Sequence, residues 1–250
     1  MKSELPEGLD AHDYEASSTV RDLTKLDGIL RLVANAADTG PLERIVDLGC
    51  GFGGVCGYVG RRLGAADLHG IDLDAVRLEK AAARGLETYQ QDLERDPLSF
   101  GDGTVDLILS LGALEHMVHL DHVFRESARI LREGGWMIVG MPNLGSYVNR
   151  IGLLFGYQPR DVEISREVAA GTLPRYRQQA HEDLGHVHSA TYRAVRDLLR
   201  HHGFVVVEAV GFSPDFGSRL SRIGDKLFGQ RPSTARRFLV VARRSARVAR

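Results

Sequence analysis

The stretch Arg44-Ile45-Val46-Asp47-Leu48-Gly49-Cys50-Gly51-Phe52-Gly53-Gly54 constrains this chain more than any other. A short apolar run carrying one acid breaks into glycines, and helical periodicity resumes at Val55. Glycines at 49, 51 and 53 have no Cβ, so the backbone can turn sharply from strand to helix and a ligand can approach it closely. A strand–turn–helix opening of this kind calls for a parallel partner strand reached by a right-handed crossover. It also points to a nucleoside cofactor.

The rest of the chain supplies those partners. Leu23, Leu26, Leu30 and Val33 follow Val20 at helical spacing, with Ser17 or Ser18 as cap and Gly40-Pro41 as the stop. Arg44 to Leu48 is strand one, with a helix from Gly54 to Leu63. Asp67 to Asp74 reads as a strand ending in acids, followed by a helix over 75–84. A third strand over 86–90 leads into Gln91-Asp92-Leu93, and Val105 to Leu111 is a fourth, apolar enough to be covered on both faces. A helix over 120–131, Gly134-Gly135 and a strand over 136–140 complete the regular part. After Pro142-Asn143 the rhythm breaks, then resumes as a helix over 191–201, a strand over 204–210, a short helical piece over 220–228 and a strand over 237–242. The expected fold is therefore α/β, a Rossmann-like seven-stranded, mostly parallel sheet with helices on both faces and a helical lid insertion. Its expected parts are an N-terminal helical segment (1–40), a cofactor-binding core (41–143), a lid (144–190) and a C-terminal completion of the sheet ending in a basic tail (191–250).

Length and composition exclude several alternatives. The 250 residues suffice for one large domain, 43% hydrophobic and 26% charged content are ordinary for a soluble globular protein, and a formal net charge of −1 gives no overall pull toward nucleic acid or acidic membrane. The two cysteines, Cys50 and Cys56, flank the glycine turn and suggest no disulfide framework, hence a reducing compartment. Met1 to Asp10 lacks a basic-then-apolar leader, and no apolar run is long enough to span a bilayer. A cytoplasmic location follows as the expectation.

Two cofactors compete for the turn. Gly49-x-Gly51-x-x-Gly54 satisfies the dinucleotide fingerprint, with Asp72 about 20 residues on, where a ribose-binding acid belongs. The same residues satisfy acid-x-Gly-x-Gly-x-Gly, from Asp47 to Gly53. A pyrophosphate would be repelled by Asp47, whereas an amino-acid ammonium would be attracted, with backbone N–H groups of 49–53 free to face its carboxylate. Asp72 suits ribose hydroxyls, and its rival Asp74 suits the cap of the next helix.

In this order of acids the chain resembles the class I S-adenosylmethionine-dependent methyltransferases, especially the small-molecule group that includes the ubiquinone and menaquinone methyltransferases. The resemblance covers residues 45–143 best. It implies S-adenosylmethionine held by Asp47, Gly49, Cys50, Gly51, Gly53, Asp72 and Leu73. It also implies Asp92 and Leu93 at the adenine, and Leu111 and Glu115 from the segment after strand four. It further implies a last strand running antiparallel between strands five and six. Taken singly, each acid is more often a helix cap or a solvated loop residue; the ordered set carries the reading.

Methyl transfer needs a nucleophile aimed along the S–CH₃ axis and, for a hydroxyl acceptor, a base, for which histidine is suited. His116 follows strand four in a Glu-His pair. His186 and His188 stand near the end of the insertion with His181. Their spacing matches no recognised metal motif, so no metal is expected. Tyr147, Phe155, Tyr157 and Tyr176 are candidates for an apolar wall, and Arg150, Arg160, Arg166, Arg175 and Arg177 for meeting an anionic group. Expected partners are a small-molecule acceptor, most naturally methylated at oxygen, with no nucleic acid and no membrane insertion. The oligomeric state is open, a homodimer being one option. A cofactor-binding regulatory subunit and a nicotinamide-dependent oxidoreductase remain the alternatives.

Overall fold

Near-continuous apolar runs in the central strands dictate a sheet buried on both faces. The computed structural model describes residues 23–36, 40–159, 161–165, 167–168, 170–173, 185–213 and 219–245. The elements are α1 (Leu23–Ala34), β1 (Arg44–Leu48), α2 (Gly54–Leu63), β2 (Asp67–Asp72), α3 (Ala75–Ala83), β3 (Glu87–Gln90), β4 (Val105–Leu111), a 3₁₀ turn (Leu114–His116), α4 (Leu120–Ile130), β5 (Leu131–Pro142), α5 (Tyr147–Leu154), α6 (Tyr192–His201), β6 (Phe204–Phe212), α7 (Arg219–Phe228) and β7 (Arg237–Arg244). They form one seven-stranded sheet in the order β3-β2-β1-β4-β5-β7-β6. β7 runs antiparallel between β5 and β6, as expected, and the other pairs are parallel.

The period-2 pattern sorts side chains cleanly. Ile108, Met137, Val139, Phe238 and Val240 join one core with Val123, Phe124 and Ile130 of α4 and Val195 and Leu199 of α6. Leu107, Leu109, Trp136, Ile138, Leu239 and Val241 join the other, against Leu26, Leu30 and Val33 of α1, Val59 of α2 and Leu78 of α3. The strand order reverses between β1 and β4, parallel neighbours whose crossovers go opposite ways. This leaves a crevice at their carboxyl ends, where ligands bind in such sheets.

Several boundaries differ from expectation for local reasons. β5 starts at Leu131, five residues early, because α4 passes into it without a turn; the register jumps between Val105 and Leu107, and Gly134-Gly135 form an irregularity inside the strand. Gly135 has no room for a Cβ, which would lie 2.9 Å from the Arg132 carbonyl oxygen. β6 and β7 each run two residues longer than expected because they pair with each other to Phe212 and Arg244. The caps expected at Ser17 or Ser18, and Val20, lie outside the described residues.

The insertion holds one helix, α5, among the described residues, where several helical patterns were expected. Among the described residues, Tyr147 and Phe155 do not share one wall. Tyr147 donates to Asp225 (2.7 Å) and packs on Phe228, while Phe155 is 71% exposed. Arg150 braces the backbone, donating to the carbonyls of Gly145 and Ser233. Arg160, Arg166, Arg175, Tyr176, Arg177 and His181 lie outside the described residues. Among the described residues, no helix is long and apolar enough to cross a membrane.

Candidate active site

The glycine turn divides its labour. Gly49, Gly51 and Gly53 all have positive φ. A Cβ on Gly49 would lie 2.5 Å from the Ala113 Cβ, and one on Gly53 2.9 Å from the Ala81 Cβ, so these two serve packing. A Cβ on Gly51 would meet nothing within 4 Å. That open space beside the backbone is what a ligand lying against the turn requires.

The turn's N–H groups are largely spent. Those of Gly49 and Cys50 donate to the Ile71 carbonyl (2.8 and 3.0 Å), that of Gly53 to the Cys50 carbonyl (2.9 Å), and that of Gly51 to the Asp72 carboxylate (2.9 Å). The expectation of free amides across 49–53 is thereby corrected: parallel pairing of β1 with β2 brings the end of β2 under the turn, where it takes them.

What is left for a cation is Asp47. Its side chain is buried on β1, and among the described residues its carboxylate has no hydrogen-bond or ionic partner. Burial, reinforced by the charge of Asp72, pushes its pKa up to about 7. Such a carboxylate is poorly satisfied until a cation joins it. Asp72, at the end of β2, accepts from Gly51 and from Asp74 N–H (3.0 Å), yet two carboxylate oxygens offer about four acceptor sites, which leaves capacity for hydroxyls. Asp74 caps α3, accepting from Val76 and Arg77 N–H.

The remaining expected cofactor residues are distributed as follows. Asp92, half-buried after β3, accepts from Glu94 N–H (2.9 Å) and lies 3.8 Å from Arg95. Leu93 is buried in the core, whereas Leu73, beside Asp72, is 63% exposed. Leu111 is buried at the end of β4. Burial, with the charge of Asp47 next, pushes the Cys50 thiol up, so Cys50 is no nucleophile.

The 3₁₀ turn after β4 builds a second cluster. The Glu115 carbonyl accepts the N–H groups of Val187 (2.9 Å) and His188 (3.0 Å), pinning the end of the insertion to this turn. Glu115 is 2% exposed, and burial raises its pKa while Arg237 opposes the rise. The His186 ring lies between two acids, with Nε2 4.0 Å from Glu115 Oε1 and Nδ1 3.8 Å from Glu163 Oε1. His116, exposed, faces His186 with ring centroids 4.9 Å apart. His188 is exposed, and its ring is not part of the group of possible ligands formed by Glu115, His116 and His186. Glu163 was not singled out in the sequence, where an acid among the insertion's polar residues carries no distinguishing pattern. In the structure it accepts from Gly185 N–H (2.8 Å), and burial raises its pKa.

A doubly wound sheet with a glycine turn and acids at successive strand ends defines a Rossmann-like domain. More particularly, residues 46–139 match the family model described as a methyltransferase domain. Curated relatives include a fusarielin synthase from Gibberella zeae, 31% identical over 138 residues that make up 51% of this chain and 5% of that protein. A fatty-acid O-methyltransferase from Mycolicibacterium smegmatis is 31% identical over 100 residues, 38% of this chain and 36% of that protein. The chain thus spans about a third or less of the length of these relatives. Among solved structures, an S-adenosylmethionine-dependent methyltransferase from Mesorhizobium loti aligns over 87% of this chain and 96% of its own, with a TM-score of 0.58 and 24% identity.

Proposed function

We propose that the protein transfers the methyl group of S-adenosylmethionine to a small-molecule acceptor, at oxygen. The observation that carries this reading is the unpartnered, buried carboxylate of Asp47 beside open space at Gly51, within a segment that matches the methyltransferase family. The cofactor supplies a methyl group activated by a sulfonium leaving group. Asp47 would hold its ammonium, Asp72 its ribose hydroxyls and Asp92 its adenine amino group, with exposed Leu73 offering apolar surface nearby. Charge-assisted bonds of this sort contribute about 1.5–3 kcal/mol each.

Acceptor-side chemistry falls to the cluster after β4. His116 and His186 carry imidazoles that can take a hydroxyl proton, and Glu115 and Glu163 flank the His186 ring at 4.0 and 3.8 Å. His188 stands on the same pinned segment and is a further candidate. Oxygen as the acceptor atom draws support from the fatty-acid O-methyltransferase among the relatives.

The test is transfer of a labelled methyl group from S-adenosylmethionine to a panel of phenols, hydroxylated lipids and carboxylic acids. Labelled product is expected, with the label on oxygen. Tight cofactor binding without transfer to any compound would favour a non-catalytic, cofactor-binding role instead.

A further inference from the structure

We infer that Glu115, His116 and His186 form a binding site for one divalent first-row transition-metal ion of the zinc type, with Glu163 positioning His186. One donor atom from each of the three lies within 4.8 Å of the others. Bonds of about 2.0–2.1 Å at a tetrahedral centre place donor atoms roughly 3.3–3.4 Å apart. Closing the set therefore needs a contraction of up to about 1.5 Å, which a turn of the exposed His116 ring would supply.

Two further observations point to a cation. Glu115 is 2% exposed, and the charge of Arg237 acts on it, yet among the described residues its buried Oε2 has no hydrogen-bond partner, a bond that a metal ion would replace. The His186 ring stands between two carboxylates, with Nε2 4.0 Å from Glu115 and Nδ1 3.8 Å from Glu163; a small shift of Glu163 onto Nδ1 would fix the tautomer and aim Nε2 at a metal. The frame is rigid as well. The Glu115 carbonyl takes the N–H groups of Val187 and His188, and Glu163 takes that of Gly185, so both ligand-bearing segments are tied by backbone bonds.

Two imidazoles and a carboxylate suit zinc, cobalt or iron rather than calcium or magnesium, which prefer all-oxygen sets. Two carboxylates within reach offset the double positive charge. Three protein ligands leave a fourth position open, as in catalytic rather than structural zinc sites. An ion held there would take the lone pairs of His116 and His186 and leave His188 to accept the acceptor's proton; that consequence rests on the proposed function, and the binding of the ion does not.

The experiment uses the full, untagged chain, stripped with EDTA and titrated calorimetrically with Zn²⁺. Absorption of the Co²⁺ form reports the geometry, and S-adenosylhomocysteine is titrated in parallel. One ion per chain is expected, with visible Co²⁺ bands of a four- or five-coordinate site. Affinity should fall at least about tenfold in His116→Ala and in Glu115→Gln, and about 10–100-fold in Glu163→Gln. His116 is exposed, so His116→Ala tests the site even if Glu115→Gln fails to fold. Absence of stoichiometric uptake, or uptake that His116→Ala leaves unchanged, overturns the inference. A normal S-adenosylhomocysteine titration without zinc uptake defeats the metal site alone, whereas zinc uptake without any cofactor response defeats the proposed function alone.

Discussion

The carboxylate of Asp72 accepts the backbone N–H of Gly51 at 2.9 Å, tying the end of β2 to the turn that follows β1. One acid thus shapes the turn and faces the crevice. Asp72→Ala removes both roles, and it should abolish the rise in melting temperature that S-adenosylhomocysteine gives the wild-type chain. Asp72→Asn keeps an acceptor for Gly51 but loses the charge, so a reduced, nonzero rise is expected. Thermal melts at millimolar ligand check both; an unreduced rise in Asp72→Ala would exclude Asp72 from the cofactor site.

Asp47 gives a pH dependence whose sign is fixed. Its folded pKa, about 7, exceeds the ordinary value of 3.8, so the folded state holds a proton there that the unfolded state has released. The cofactor-free protein should lose stability from this residue as pH rises from about 4 to 7, on the order of a few kcal/mol in total. Asp47→Asn should then melt higher than wild type at pH 8 without ligand. Cofactor binding needs the ionised form, so wild-type affinity should fall below pH 7 by up to about tenfold per unit. Calorimetric titrations at pH 5.5, 6.5 and 8 measure this, and a flat profile would mean that the ammonium is held elsewhere.

Much of this was legible in the sequence because glycines and apolar periodicity are local. The Gly49-Gly51-Gly53 turn and the places of Asp47, Asp72 and Asp92 along β1, at the end of β2 and after β3 follow from such patterns, whereas the antiparallel place of the last strand follows from the family resemblance alone. What escaped depends on contacts distant in sequence. That the Ile71 carbonyl takes the N–H groups of Gly49 and Cys50 follows from β1–β2 register, which no local pattern encodes. The joining of His116 to His186 likewise depends on a backbone pairing across some seventy residues, between Glu115 and Val187. Tyr147 and Arg150 looked like pocket residues by type, yet their partners, Asp225 and Ser233, come from the far end of the chain.

The glycines can be separated by experiment. Ala at Gly49 or Gly51 carries the same penalty for positive φ, on the order of 1–2 kcal/mol. Gly49→Ala also drives a methyl group into Ala113, so it should lower the melting temperature well beyond Gly51→Ala. Gly51→Ala meets open space, and its methyl group enters the room proposed for the cofactor. It should weaken S-adenosylhomocysteine binding at least about tenfold while costing little more than the backbone penalty. Equal melting temperatures with equal affinities would show that the two glycines do the same work.

Asn143 anchors the point where the regular alternation of strands and helices ends. It is fully buried; its amide donates to the carbonyls of Pro232 (2.9 Å) and Ala235 (2.8 Å), and its side-chain oxygen accepts Gly145 N–H (2.9 Å). Three buried groups lose their partner at once in Asn143→Ala. At about 1–3 kcal/mol for each unsatisfied group, with partial relaxation, a loss on the order of 3 kcal/mol follows. For a chain of this size that is a fall of about 6–12 °C. Asn143→Asp keeps the acceptor for Gly145 but turns an acid on two carbonyls, so it should be no better than alanine above pH 6. Because Asn143 bridges to Ala190 and so sets where the segment carrying His186 leaves the sheet, the loss should extend to methyl transfer. Melting curves and transfer rates on the same two variants decide the matter: a stability loss with full activity would confine Asn143 to holding the fold.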